Sequence, residues 1–299
     1  MTRRVTVESS PVEWPAIAVH GGAGSYERLA DQPGLTARVE DGVDAALDAG
    51  WAVLAAGGGA VDAVVAAVRA FEENGAFNAG RGSVPTSTGT HEMDASVMDD
   101  RGRAGAVACL TGWSAVGAAH AVWRRSAKDG VLLLAGPGAD HFAAGHDVPR
   151  LGPVSHDGTA DPSPLSEQGT VGAVAVTASG RFAAATSTGG RPGQPPGRVG
   201  DTPIPGAGVW AQPGCAVSAT GAGEAFILAG FSRLVGSRHS QGSDLPAALR
   251  WGLDEVARYR GNGGAVALGS DRTWAAAYDT RAMARGVRHA AGRRRAVTG

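Results

Sequence analysis

Three threonines stand at the ends of apolar segments, and each has a glycine as its neighbour: Thr170, Thr188 and Thr220. A threonine hydroxyl is a weak nucleophile at neutral pH and needs a base beside it to attack an amide. If the bond between Gly169 and Thr170 were cut, the α-amine of Thr170 would be that base, since α-amines titrate at about 7.7–8.0. Gly169 has no side chain to crowd an attack on its own carbonyl. The sequence therefore predicts that the chain is cleaved at Gly169–Thr170 and that Thr170 becomes the nucleophile.

The segment before this bond, residues 145–169, has no hydrophobic periodicity and reads GHDVPRLGPVSHDGTADPSPLSEQG. A structureless run of this length inside a compact domain is uncommon and is usually functional or disordered. Exposed segments of this composition are also where proteolytic nicking is tolerated. We expect a mobile linker over about 145–169, which ends at the cleavage site and divides the chain into residues 1–169 and 170–299.

The loop GRVGD (197–201) places Arg198 three residues before Asp201. A guanidinium forks onto a carboxylate, and a carboxylate pairs with an ammonium, so together they match the α-groups of an amino acid. For an isolated pair with this spacing, an internal salt bridge is the commoner arrangement. A single threonine at a strand end likewise usually reflects strand propensity alone. Three such threonines together with this loop favour a catalytic site.

The segment ATGAGE (219–224) carries Thr220 at a strand end that opens into a helix. Backbone N–H groups at such a point favour a developing negative charge. The segment is therefore a candidate oxyanion site, although glycine at helix starts is common and the motif alone is weak.

Charge and composition exclude several classes of function. The chain has 27 basic and 28 acidic residues and a formal net charge of -1, which indicates neither nucleic acid nor an anionic membrane as partner. The start lacks the apolar stretch of a signal peptide, and no run of about 18 apolar residues occurs. Cys109 and Cys215 lie far apart in apolar segments, which fits buried thiols in a reducing cytoplasm. The basic residues 293–295 are expected to form a solvated tail.

No histidine is predicted to act in catalysis or to bind a metal. His141 and His146 are five residues apart and so do not share a helix face, and no HExxH motif occurs. His20, directly before a glycine cluster, is interpreted as a buried residue that sets the loop rather than as a base.

Hydrophobic periodicity predicts helices over 36–55, 60–74, 114–126, 138–145 and 244–259, and a helix that starts after 220. Strands are predicted at 16–20, 171–176, 181–188 and 215–220, with two more within 95–110 and a final hairpin over 264–278. Helices and strands come in groups rather than in strict alternation. This order favours an α+β fold with mainly antiparallel sheets covered by helices.

Seven motifs occur in the order seen in one known family: IAVHGGAG (17–24), FNAGRGS (77–83), HEMDASVMD (91–99), GTVGAVAV (169–176), AAATSTGG (183–190), PGRVGDTPIPGAG (196–208) and SATGAGE (218–224). The chain resembles the plant-type (type 2) L-asparaginases, also called isoaspartyl peptidases, which belong to the N-terminal nucleophile hydrolases. The resemblance covers about residues 16–230 and, more faintly, 261–268. The end of the chain, AAAYDTRAMARG (275–286), only loosely resembles the family's ending.

The resemblance implies one domain over 1–299, a four-layer αββα sandwich whose precursor cleaves itself before Thr170. Thr170 would form an acyl-enzyme with L-asparagine or a β-aspartyl dipeptide, and water would release the product. The resemblance also implies a homodimer of cleaved αβ units, and the family often holds a structural sodium on backbone carbonyls, here around residues 71–82. No other cofactor is implied.

The resemblance assigns a role to each matching residue. Thr188 would hydrogen-bond and tune the nucleophile, and Asn78 would lie near it. Thr220 and Gly221 would supply the oxyanion hole. The substrate α-groups would be held by the following residues: Arg198, Asp201, Gly221 and Gly223.

Three alternatives remain. A glycosylasparaginase uses the same mechanism on sugar-linked asparagine, but those enzymes resemble TSTNG where this chain has Gly189 after Thr188, and they are often exported and cysteine-rich. A phosphate- or nucleotide-binding module would use the glycine loops, but no GxxxxGK[ST] motif occurs, and residues 206–211 match the dinucleotide pattern only in part. The third alternative is an uncleaved, inactive relative. Asparagine and β-aspartyl dipeptides present the same α-groups to Arg198 and Asp201, so the motifs do not rank these substrates.

Overall fold

The computed structural model describes residues 4–24, 26, 33–152 and 169–296. Its helices are α1 (Pro33–Ala55), α2 (Ala60–Asn74), α3 (Ala115–Asp129), α4 (Gly136–Ala144), α5 (Gly223–Ala229), α6 (Phe231–Ser240) and α7 (Leu245–Arg258). Its first strands are β1 (Thr6–Pro11), β2 (Ala16–Gly24), β3 (Met93–Asp99), β4 (Ala104–Leu110) and β5 (Leu133–Ala135). The remaining strands are β6 (Val171–Val176), β7 (Phe182–Thr188), β8 (Val209–Gln212), β9 (Cys215–Gly221), β10 (Gly263–Gly269), β11 (Thr273–Tyr278), β12 (Ala282–His289) and β13 (Gly292–Ala296).

The strands form two sheets. The five-stranded sheet has the order β1-β11-β10-β9-β8, and the eight-stranded sheet has the order β13-β12-β2-β6-β7-β3-β4-β5. All pairs are antiparallel except β4 with β5. Strand β6, which starts directly after Thr170, lies between β2 and β7, so segments from both sides of the predicted cleavage site share one sheet.

Side chains on successive strand positions are buried on opposite faces, as the two-residue period of a strand requires. On β6, Val174 belongs to the core between the two sheets, whereas Ala173 and Ala175 belong to the core under α1–α3. On β9, Ala216 faces the other sheet and Val217 faces the core under α6 and α7. Three apolar layers therefore separate four layers of secondary structure, which confirms the predicted αββα sandwich.

The predicted helices and strands are all present, but some of their ends differ and five further strands occur. The sequence predicts a loop from Gly21, but β2 continues through Gly24. The hairpin β10–β11 is followed by two further strands, β12 and β13, and β1, β5 and β8 were also not predicted. Of the predicted linker, residues 145–152 are free of helix, and residues 153–168 lie outside the described residues.

The prediction of a solvated basic tail is wrong in part. Residues 293–295 lie on β13 and remain largely exposed, but β13 pairs with β12 along a full register. Arg293 contacts Asp44 and Asp48 of α1, and Arg294 contacts Glu8 of β1. These ion pairs cover the open edge of the eight-stranded sheet with charge, which discourages pairing with another strand. In the part of the chain that is described, no helix has the length and apolarity to cross a bilayer.

Candidate active site

The predicted site lies where the ends of several strands of the eight-stranded sheet meet. Because neighbouring strands are antiparallel, the end of β2, the start of β6 and the end of β7 meet there. The register pairs Val171 with Ser187, which sets Thr170 level with Thr188. A cleft of about 770 Å³ opens at these strand ends. Seven of the nine predicted site residues line it, namely Asn78, Gly169, Thr170, Thr188, Arg198, Asp201 and Gly221.

Thr170 is buried, with 6% of its surface exposed, and its Oγ1 lies 3.5 Å from Oγ1 of Thr202. Thr202 was not predicted, and its carbonyl accepts a 2.5 Å hydrogen bond from the Ser96 hydroxyl. Gly169 has a φ of +75°, and a Cβ there would lie 2.5 Å from Gly22 Cα. Only glycine fits this left-handed, crowded position, so the residue before the predicted cleavage site is fixed by its backbone.

The loop that follows β7 is held by Thr188 and Asn78. The Gly190 N–H donates to Thr188 Oγ1 at 3.2 Å, and Asn78 Nδ2 donates to the Gly190 carbonyl at 2.7 Å. A Cβ on Gly189 would lie 2.4 Å from Asn78 Oδ1 and 2.5 Å from Ser83 Cβ. The loop therefore approaches Asn78 so closely that it accepts no side chain at 189.

Arg198 forms its ion pair with Glu224, which was not among the predicted site residues. Its Nε and Nη2 donate to the two Glu224 oxygens at 3.0 Å each. The interpretation of Arg198 and Asp201 as an internal salt bridge is therefore wrong. Glu224 is the last residue of the ATGAGE motif, so its place in that motif was the available signal.

Asp201 is a buried carboxylate whose Oδ2 makes no hydrogen bond. Burial raises the pKa of Asp201 to about 7, and the charge of Arg198 opposes that rise. Asp94 accepts N–H bonds from Cys109 and Gly200, and burial raises its pKa to about 6. A buried acceptor without a partner is uncommon, so a cation bound in the cleft is the natural partner of Asp201.

Thr220 and Gly223 lie directly behind the cleft wall. Thr220 Oγ1 accepts the Ala23 N–H at 3.4 Å, and a Cβ on Gly169 would lie 3.1 Å from it. A Cβ on Gly223 would lie 2.9 Å from Asp201 Oδ1. Gly221 has a φ of +152°, where a side chain is strained. The Thr220 hydroxyl therefore lies beside Gly169, at the predicted cleavage site, and the Gly223 backbone lies beside Asp201.

A family model described as asparaginase matches residues 13–161 and 152–298. The chain belongs to the asparaginase family. The prediction of the family, and of an enzyme, is therefore confirmed.

Relatives of this asparaginase-family chain are similar along nearly the whole length. It is 41% identical over 297 residues to a plant-type L-asparaginase of Pyrobaculum calidifontis, covering 90% of this chain and 95% of the relative. It is 36% identical over 299 residues to an isoaspartyl peptidase of Escherichia coli, covering 90% and 91%. It is 35% identical over 291 residues to an isoaspartyl peptidase/L-asparaginase of Homo sapiens, again covering 90% and 91%.

Two buried ionisable side chains lie behind the site of this family member. His20 is fully buried, its Nε2 lies 2.9 Å from Ser218 Oγ, and burial lowers its pKa to about 3. It is therefore neutral and, as predicted, buried, but the residues that follow it continue strand β2 instead of forming the predicted loop. Both cysteines are buried and free, also as predicted.

Glu72 was missed, because a glutamate in an amphipathic helix is ordinarily solvated. It accepts bonds from the hydroxyls of Ser187 and Ser114, both at 2.6 Å, and from the Val116 N–H at 2.8 Å. Ser187 precedes Thr188, so Glu72 joins helix α2 to the strand that carries the site. Burial raises the pKa of Glu72.

Proposed function

We propose that this chain is an autoprocessing amidohydrolase that hydrolyses L-asparagine and β-aspartyl dipeptides through Thr170 as N-terminal nucleophile. The observation that carries the proposal is the buried Asp201 carboxylate beside Arg198, whose Oδ2 has no hydrogen-bond partner, in the same cleft as Thr170. Relatives named plant-type L-asparaginase and isoaspartyl peptidase support this substrate class.

Substrate binding follows from the charges in the cleft. The substrate ammonium pairs with Asp201, which supplies the missing partner of Oδ2 and stabilises the ionised carboxylate. The substrate α-carboxylate pairs with Arg198, whose orientation is set by its two bonds to Glu224. With both α-groups held, the side-chain amide of the substrate is presented to Thr170.

Catalysis then runs in two steps. The α-amine of Thr170 takes the proton from Oγ1, and Oγ1 attacks the amide carbon. The resulting oxyanion is stabilised by the Thr220 hydroxyl and the Gly221 N–H, and the proton passes to the leaving nitrogen as the C–N bond breaks. Ammonia or an amino acid departs. Water, deprotonated by the same amine, hydrolyses the Thr170 ester and releases aspartate.

Maturation uses the same hydroxyl. Thr170 Oγ1 attacks the Gly169 carbonyl, the peptide C–N bond breaks as the ester forms, and water hydrolyses that ester. The products are the new carboxylate of Gly169 and the free amine of Thr170. The compact geometry around Gly169 supports this step, because its backbone is confined between Gly22 and Thr220.

The glycosylasparaginase alternative is disfavoured by the Gly189 loop. Those enzymes resemble TSTNG at this point, and an asparagine at 189 would place its Cβ 2.4 Å from Asn78 Oδ1. An uncleaved, inactive relative is disfavoured by the joint presence of Thr170, Arg198 and Asp201 in one cleft.

We further propose that the cleaved chains form a homodimer, that the protein is cytoplasmic, and that no nucleic acid or membrane takes part. A structural sodium on the carbonyls of residues 71–82 is part of the proposal. A Cβ on Gly82 would lie 2.1 Å from the Phe77 carbonyl oxygen and 2.8 Å from that of Gly75, so carbonyl oxygens converge there. Oxygen donors of this kind suit a hard cation.

Intact-mass spectrometry under denaturing conditions tests the proposal. The expected result is two fragments, 1–169 and 170–299, together with release of aspartate from asparagine or a β-aspartyl dipeptide. The matched control is Thr170→Ala, which should give one uncut mass. A wild-type chain that stays uncut after long incubation, or a cut chain inactive on both substrates, would refute the proposed function.

A further inference from the structure

The cleft has two sides, and Thr170 lies between them. On the side of the eight-stranded sheet where the strand ends face the cleft, the strands follow in this order: the start of β12, the end of β2, the start of β6, the end of β7 and the start of β3. Asp94, on β3, accepts the Gly200 N–H and so supports the loop of Arg198 and Asp201. That loop is therefore on the β7–β3 side of Thr170. Arg281, directly before β12, is on the opposite side.

The five-stranded sheet repeats this arrangement. The strand ends of this sheet that face the cleft are, in order, the start of β8, the end of β9, the start of β10, the end of β11 and the start of β1. Strand β9 lies over β6, and β11 lies over β12. The register pairs Thr6 with Tyr278, so continuing it by two residues sets Arg4 level with Thr280. Arg4 and Arg281 both line the cleft, and both are on the side away from Asp201.

Among the described residues that line the cleft, arginines outnumber carboxylates, and two of these arginines, Arg191 and Arg198, pair with Glu224. The lining residues include four arginines, Arg4, Arg191, Arg198 and Arg281, and two carboxylates, Asp201 and Asp279. Asp279 Oδ1 accepts the Gly263 N–H at 2.7 Å, which ties it to β10. With Asp201 and Arg198 assigned to the substrate α-groups, Arg4 and Arg281 lie on the other side of Thr170 from those groups.

We propose that Arg4, together with Arg281, binds the carboxylate of the leaving residue and so makes the enzyme selective for β-aspartyl dipeptides over free asparagine. This inference rests on the proposed function. A β-aspartyl dipeptide carries one more carboxylate than asparagine, two bonds beyond the scissile nitrogen. Asparagine loses only ammonia and offers nothing to these arginines. Strand β1 is then a specificity element, because its pairing with β11 delivers Arg4 to the cleft.

Three substrates separate this role from a general effect: β-aspartyl-leucine, the same dipeptide with an amidated C-terminus, and L-asparagine. Arg4→Gln should lower kcat/KM for the free dipeptide about threefold relative to asparagine, the size expected for an exposed ion pair. Arg4→Gln/Arg281→Gln should lower that ratio about tenfold. In these variants, kcat/KM for the amidated dipeptide should change no more than kcat/KM for asparagine does. Arg101→Gln, an exposed arginine in the turn after β3, is the matched control.

The outcomes distinguish the inference from the function beneath it. A wild-type enzyme that cleaves none of the three substrates refutes the proposed function. A wild-type enzyme that cleaves them, with unchanged dipeptide-to-asparagine ratios in all arginine variants, overturns the inference alone. Only fully cut preparations are assayed. If Arg4→Gln stays uncut, two other measurements test the inference. They are the salt dependence of kcat/KM for the free dipeptide in the wild type and the dipeptide-to-asparagine ratio of kcat/KM in Arg281→Gln. If neither measurement shows an effect, the inference is overturned.

Discussion

Replacing Asp201 by asparagine should weaken the enzyme and stabilise the fold at the same time. Asp201 is buried, its Oδ2 has no partner, and burial raises its pKa from the ordinary 3.8 to about 7. Between these two pH values the folded chain holds a proton that the unfolded chain has lost. The free energy of unfolding therefore falls as pH rises from about 4 to about 7 because of this one carboxylate.

The size of the stability change follows from the shift in pKa. Each pH unit corresponds to about 1.4 kcal/mol, so the unpaired charge costs at most about 4 kcal/mol above pH 7. Asparagine has nearly the same shape and no charge to bury. The stability advantage of Asp201→Asn should therefore grow by about 2–3 kcal/mol between pH 5 and pH 8.

Activity should change in the opposite direction. The substrate ammonium loses its charged partner, and removing one member of a buried charge pair costs about 2–5 kcal/mol. We expect kcat/KM to fall about 100-fold, mostly through weaker binding. In the wild type, kcat/KM should also decline below pH 7, where Asp201 becomes protonated.

Urea unfolding at pH 5 and pH 8 measures the stability change, with Thr170→Ala as the common background so that all chains remain uncut. Asp41→Asn, an exposed carboxylate on α1, is the control and should change stability little at either pH. If Asp201→Asn lowers stability at both pH values, the carboxylate is paired in the folded chain and the reasoning fails.

Two further predictions concern the carboxylates that the sequence did not reveal. Glu224→Gln should raise KM about threefold to fivefold with little change in kcat, because the exposed Glu224 orients Arg198 without touching the reacting atoms; steady-state kinetics test this, and a fall in kcat alone would contradict it. Glu72→Ala leaves three buried donors without their acceptor and should cost about 3 kcal/mol or more in urea unfolding, whereas the exposed neighbour Glu73→Ala should cost under about 0.5 kcal/mol. Equal losses for both glutamates would contradict the role given to Glu72.

Features that depend on neighbouring residues along the chain could be predicted from the amino-acid sequence. The spacing of apolar residues located α1, α2 and α7 to within a few residues, because the 3.6-residue period of a helix appears in a short stretch of sequence. The glycines and threonines of the site were found in the same way, since each stands beside a strand end in its own motif. The family and the αββα architecture also followed from ordered motifs.

Contacts between residues that are far apart in the sequence could not be predicted and are seen only in the folded chain. Arg198 pairs with Glu224, 26 residues away, and Glu72 bonds to Ser187, 115 residues away. No local pattern contains such pairs, because sheet order is set by packing across the whole chain. For the same reason β12 and β13 were missed, and the arginines of β13 were interpreted as a tail.

The state of Asp201 makes the distinction clearest. The sequence predicted that it binds an ammonium, from its residue type and its spacing to Arg198. Only in the folded chain is Asp201 buried away from water. There Arg198 pairs with Glu224, and Asp201 Oδ2 has no hydrogen-bond partner. Residue chemistry is local, whereas burial depends on every layer that the chain stacks over a residue, and burial is what raises this pKa.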